Sequence, residues 1–281
     1  MARPPLSVRQ DSAATDQYYA LVEGIPPWMR ASALAWVKPF IYTDKGVPIA
    51  KVLHRVEQHL RIQLSWAGAL DAHRVTSAAI NALDLLHDDE AGLDLLDYFL
   101  GTCSTSSTSP ERLQAILDAS ASAWTVGRDD EGLLCLERRV DPVAQASAES
   151  EMEKPGKAAI YLRSAWHDAF GRDPNPTGAY RDAIRAVEAA ARPVLTPADQ
   201  LATLGKMIAA IRDAPTKWTV EIGDIGAVKA MMETVWKNQH DRHGTDDETT
   251  PVNVSQSEAE AALFIAVTLV QWFRSGFVRL A

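Results

Sequence analysis

The stretch KAAIYLRSAWHDAFGRDPNPTGAYRDAIRAVEAAA, residues 157–191, decides the fold. Pro155 opens a long helix that runs through Phe170. Asp173-Pro-Asn-Pro-Thr-Gly178 is a turn by its proline and glycine content. From Ala179 to Ala191, Tyr180, Ala183, Ile184, Val187 and Ala190 fall on one face of a second helix. Thr196 and Pro197 then read as the N-cap and first residue of a third helix, with Leu201, Leu204, Ile208 and Ile211 as its apolar stripe. Ala227, Met231, Val235 and Trp236 recur at helical spacing. Ser255 or Ser257 is placed to cap a terminal helix whose apolar face runs from Ala259 to Trp272. Successive apolar periods joined by Pro and Gly turns predict an antiparallel helical bundle over residues 155–281.

Working back toward the N-terminus, the same period recurs in Gln17 to Val22, Trp28 to Val37, Ala50 to Trp66, Ala72 to Leu86 and Leu93 to Leu100. These segments predict a helical module over residues 1–102. Cys103-Ser-Thr-Ser-Ser-Thr-Ser-Pro110 is a polar low-complexity link and the best candidate boundary. In the expected linker, residues 103–154, a short helix from Glu111 to Ala119 precedes a β-hairpin. The hairpin is read as Ala123 to Val126, a turn over Gly127 to Gly132, and Leu133 to Val140, the one convincing strand signal in the chain. Val143 to Lys154, acidic and rich in Ser and Ala, is either helical or mobile. The fold class expected is therefore mainly α: a helical module, a short hairpin and a C-terminal bundle.

The chain has 281 residues, is 47% hydrophobic and carries a net charge of −9. It is long enough for one large or two modest domains. The acidity argues against a dedicated nucleic-acid coat or a membrane-surface protein, while one local basic pocket remains compatible with it. Cys103 and Cys135 show no CxxC or Cys/His ligand spacing, which predicts reduced thiols in an intracellular, cytoplasmic protein. The N-terminus lacks a signal-peptide core, and Ala259 to Phe273 is too short to span a bilayer, so no membrane partner is expected.

Chemistry concentrates in Trp236-Lys237-Asn238-Gln239-His240-Asp241-Arg242-His243-Gly244. His can take and give a proton near neutral pH, and a neighbouring Lys or Arg can balance charge on a phosphoryl oxygen. Gly244 with Thr245-Asp246-Asp247 ends the preceding helix, which puts Lys237 and His243 on its last two turns or just beyond. A bland reading stands beside this one, since cations at a helix C-terminus favourably meet the helix dipole. The other candidates are weaker. His54 and His59 lack metal-ligand spacing, Asp246-Asp247-Glu248 lacks the pattern of a calcium loop, and Gly205-Lys206 lacks the flanking residues of a phosphate loop. The eight tryptophans are dispersed, which favours packing over a base-stacking platform.

The order of these elements resembles the abortive-infection C-terminal domain of the HEPN superfamily over roughly residues 155–280. The residues that carry it are the helix from Lys157, Pro174-Asn-Pro, Tyr180 to Ala189, Thr203-Leu-Gly205-Lys, Asn238 to Gly244 and the apolar last helix. The resemblance implies a bacterial anti-phage protein and a metal-independent ribonuclease that needs no cofactor. Lys237, Asn238 and His243 match the family's catalytic Arg, polar residue and His, with Lys in place of Arg. Arg242 and His240 are auxiliary groups. Glu188 matches an acidic position that anchors a site cation, although an ordinary helix carboxylate is its simpler reading. The partners implied are RNA, a second copy of the chain in a homodimer, and a partner defence protein. The competing reading is a non-catalytic module that binds a nucleotide, RNA or protein, favoured by Lys237 and by the net acidity.

Overall fold

The computed structural model describes residues 5, 18, 20–64, 71–103, 109–240 and 254–281, with residues 237–240 described by backbone alone. The protein is mainly α, as the periodicity predicts, and divides into two compact units, Met1–Arg139 and Val140–Ala281. Among the described residues no helix is long and apolar enough to cross a membrane.

The first unit holds α1 (Pro27–Ile41), α2 (Ala50–Leu60), α3 (Ala72–Asp84), α4 (Asp89–Gly101), α5 (Pro110–Ala119) and the antiparallel pair β1 (Trp124–Arg128) and β2 (Leu134–Arg138). Asp71, Asp88 and Ser109 cap α3, α4 and α5 by accepting from backbone N–H groups of the first turn. The hairpin lies one to two residues from its expected limits, and its turn is closed by Leu133 N–H donating to Asp129 Oδ1 at 2.7 Å. A Cβ at Gly127 would fall 2.2 Å from the Glu137 carboxyl carbon, so a side chain there would displace the carboxylate that accepts from Arg128 N–H. The hairpin belongs to this unit rather than to a linker. Trp124 and Leu136 are buried in one core with Trp36, Leu96 and Phe99, and the Leu136 N–H donates to Asp97 Oδ1 at 2.5 Å. Burying such side chains contributes roughly 1.5–3 kcal/mol each, which outweighs any tendency of a short ribbon to stand alone. The helix expected over Gln17 to Val22 is not continued at its end. Val22 is extended and bridges Ser122, with Val22 N–H donating to Ala121 O and Ala123 N–H to Val22 O, both at 2.8 Å.

The second unit begins with α6 (Pro142–Met152), so the stretch left open between helix and mobile segment is a helix, capped by Asp141. It continues through α7 (Lys157–Phe170), α8 (Pro176–Leu195), α9 (Leu204–Asp213), β3 (Trp218–Val220), α10 (Ile225–His240), α11 (Gln256–Arg274) and β4 (Val278–Leu280). One core runs through it, from Ala148 to Val278, with α8 packed against both α7 and α11. Asn175 caps α8, accepting from Gly178 N–H at 3.0 Å, with Pro176 in the first turn. Ser255, not Ser257, caps α11, in a reciprocal capping box with Glu258. Gly276, at φ +73°, ends α11: Phe277 N–H returns to Trp272 O and Gly276 N–H to Phe273 O. This is a Schellman turn, which favours glycine at the left-handed position.

Two features of this half differ from expectation. The chain from Thr196 to Thr203 forms turns, and α9 starts only at Leu204. Asp199 draws the Leu201 N–H to its own carboxylate, and Leu201 is 85% exposed, so the apolar stripe begins at Leu204. A second strand pair also exists, in which β3 and β4 run antiparallel with Trp218 opposite Leu280 and Val220 opposite Val278.

Charge is buried at one place in the α6–α7–α11 packing. Glu151 is fully buried, and its carboxylate meets the Lys154 ammonium and, at 3.8 Å, Arg274 Nε. Arg274 also donates to the backbone oxygens of Glu151 and Pro155, and Arg163 donates to that of Met152.

Candidate functional site

The predicted site lies where α10 ends and α11 begins. Asp224 Oδ1 accepts from Gly226 and Ala227 N–H to start α10, and Val228, Met232 and Val235 bury its inner face. Its far end is held twice. The Tyr180 hydroxyl of α8 donates to the Val235 carbonyl at 2.7 Å in a buried bond. Gly205 of α9 lies flat against the Trp236 ring, where a Cβ would come within 2.8 Å. Lys237, Asn238 and His240 belong to the last turn of this helix by their backbone. Their side chains, and Arg242 and His243 altogether, lie outside the described residues.

The chain re-enters the bundle at a fixed point. Gln256, the first residue of α11, donates from Nε2 to Ala169 O at 2.6 Å, in the last turn of α7. The α7–α8 connection is closed at the same level by Asn175 N–H donating to Asp168 O at 2.7 Å. Val235 of α10 and Gln256 of α11 are thus both bonded to residues near the bundle end made by the α7 C-terminus and the α8 N-terminus.

Glu188 is half-buried on α8, two turns beyond Tyr180, and its contact is with the start of α9. Its Oε1 accepts from Leu204 N–H at 2.7 Å. Thr203 occupies the N-cap position without making a side-chain bond, so the acceptor that caps this helix comes from another helix. Replacing Glu188 by Ala is expected to lower the stability of the second unit by about 1–2 kcal/mol, with Glu188→Gln retaining most of it because an amide oxygen still accepts. Urea unfolding monitored by circular dichroism checks this, and equal losses in both variants would show that charge rather than the bond matters.

One cluster was not singled out by the sequence reasoning. Asp182 sits on the buried side of α8, 4% exposed among Ala183, Ala186 and Val187. Its Oδ1 accepts from Arg181 Nε and from Arg185 Nη1, each at 3.1 Å, and its Oδ2 accepts from the Ser164 hydroxyl of α7 at 2.9 Å. Burial opposes the Asp182 charge, yet the hydrogen bonds from Arg181 and Ser164 prevail and hold its carboxyl below the usual aspartate range. The Arg185 guanidinium lies 5.8 Å from the centre of the Tyr161 ring. The legible trace of this cluster is an aspartate on an otherwise apolar helical face, flanked by arginines one before and three after.

Other groups offer less. Burial raises the thiol pKa of both Cys103 and Cys135, which disfavours the thiolate. His59 packs its ring on Tyr98 at 4.8 Å, and His54 bonds Gln58 on the same helix. Comparison with protein-family models, curated proteins and solved structures gives no match to this chain.

Proposed function

We propose that the second unit is an RNA-cleaving module of the HEPN abortive-infection type, serving bacterial anti-phage defence in the cytoplasm and needing no metal. One observation supports it most. The penultimate turn of α10 and the first turn of α11 are bonded to residues near the same end of the α7–α8 hairpin, by Tyr180 to Val235 and by Gln256 to Ala169. Lys237 and Asn238 follow that anchored stretch on α10, and Arg242 and His243 lie in the sequence between the two anchored helices, outside the described residues.

In the reaction proposed, the ribose 2′-oxygen attacks the adjacent phosphorus as His243 takes its proton. The bond to the 5′-oxygen breaks, that oxygen accepts a proton from a general acid, and a 2′,3′-cyclic phosphate remains. Lys237 or Arg242 stabilises the charge on the phosphorane oxygens, and Asn238 orients substrate or imidazole. A homodimer supplies the second histidine, because a two-fold axis apposes two copies of one surface.

The rival reading, a module that binds RNA, a nucleotide or a partner defence protein without cutting, draws on two observations. Lysine lacks the planar fork that grips a phosphate bidentately. In addition, α11 spends most of its apolar surface inside the unit, burying Ala259, Ala262, Leu263, Ala266, Val267, Leu269, Val270 and Phe273. That leaves little of this helix for a dimer interface.

The deciding experiment incubates purified protein, its mass measured by light scattering, with total RNA and tRNA in the presence of a chelator. Cleavage that survives chelation and leaves cyclic phosphate ends is expected. Binding without cleavage would establish the rival, and a requirement for magnesium would move the activity to other residues.

A further inference from the structure

The cluster around Asp182 is built in a way that an ordinary surface ion pair is not. Its carboxylate is buried, and it fixes two guanidiniums that are themselves about half exposed, 51% for Arg181 and 49% for Arg185. Since both donor nitrogens lie 3.1 Å from the same oxygen, they are no more than about 6 Å apart. One carboxylate cannot neutralise two arginines, so the trio keeps a net positive charge at the surface of an acidic protein. Arg181 Nη1 and Arg185 Nε and Nη2 have no partner among the described residues. Ser164 fills the remaining side of the carboxylate and Tyr161 backs Arg185, so both forks are oriented before any ligand arrives. Asp168, one turn further along α7, is a second carboxylate acting on Arg181 and offsets part of that positive charge.

We propose that Arg181 and Arg185 form a phosphate clamp that grips the backbone of an RNA strand, with Asp182 as the residue that positions both guanidiniums. The free Nε–Nη2 edge of Arg185 is a planar fork that matches two oxygens of a phosphodiester, and Arg181, whose own Nε and Nη2 are held by Asp182, adds Nη1 beside it. The inference rests on the RNA reading above but concerns different residues, and it separates binding from cleavage.

The test measures binding of a fluorescently labelled single-stranded RNA by anisotropy, alongside cleavage of the same RNA, for wild type, Arg181→Gln, Arg185→Gln and Arg185→Lys. Each Gln variant leaves one arginine on Asp182, and circular dichroism melting checks that the fold persists. Both are expected to weaken binding about five- to tenfold and to lower the salt dependence by about one released counterion. Arg185→Lys should melt as the wild type does yet bind several-fold more weakly. Wild-type binding strength in the folded Gln variants would overturn the clamp even if cleavage is found, and full rescue by Lys would overturn forked recognition. Failure of the wild-type protein to bind RNA would overturn it too. Arg-dependent binding without any cleavage would keep the clamp and remove the nuclease reading.

Discussion

Replacing Arg274 by Ala is expected to destabilise the second unit by about 2–3 kcal/mol, because the buried Glu151 carboxylate keeps Lys154 but loses its second charged partner. The truncation also frees the backbone oxygens of Glu151 and Pro155, which Arg274 ties to the end of α11. Urea denaturation gives the number. Exchanging both partners for apolar residues of similar volume, Glu151→Leu with Arg274→Met, should cost far less than the single change, since no charge is then stranded. A single variant that unfolds no more readily than wild type would show that water reaches Glu151 and that the cluster is not held dry.

The second large effect concerns chemistry. His243→Ala is expected to reduce RNA cleavage by about 10²–10⁴-fold, the usual worth of a positioned general acid or base. Folding should be unchanged, since the α10 anchors at Val235 and Trp236 do not involve it. Lys237→Arg should preserve or raise the rate by restoring a bidentate cation. Gel assays of the variants beside wild type, with melting curves as the control, decide it. Undiminished cleavage in His243→Ala would place the reaction elsewhere.

The helices of the second unit were legible because burial imposes its period on sequence: Ala183, Ile184 and Val187 recur along α8 as Leu263, Val267 and Val270 do along α11. What escaped was set by tertiary partners. The Thr196-Pro197 pair has the local chemistry of a helix start, but Asp199 closes a turn there, and Glu188, on the preceding helix, caps α9 at Leu204. No window of neighbouring residues contains that information. Strands β3 and β4 are three residues each and have no period to read, and their pairing joins positions far apart in the chain. The hairpin was visible from its alternation and turn, yet its membership in the first unit depends on Asp97 and on a shared core. Of the candidate site, sequence supplied the residue types in Lys237 to His243. The Asp182 cluster remained hidden because two arginines beside an aspartate look solvated until the face of the helix is known.

The pairing of β3 with β4 makes the stretch between them a closed ring, sealed by Ala281 N–H on Lys217 O and by Glu221 N–H on Phe277 O, each at 2.9 Å. Everything from α10 through α11 is inside that ring. The entropy of closing so long a ring must be lost before the clasp's few contacts are gained. Val278 to Leu280 are therefore part of the fold's wiring through their pairing with β3. Substituting Pro for Arg279, which removes a backbone donor, would open the ring that returns α11 to β3.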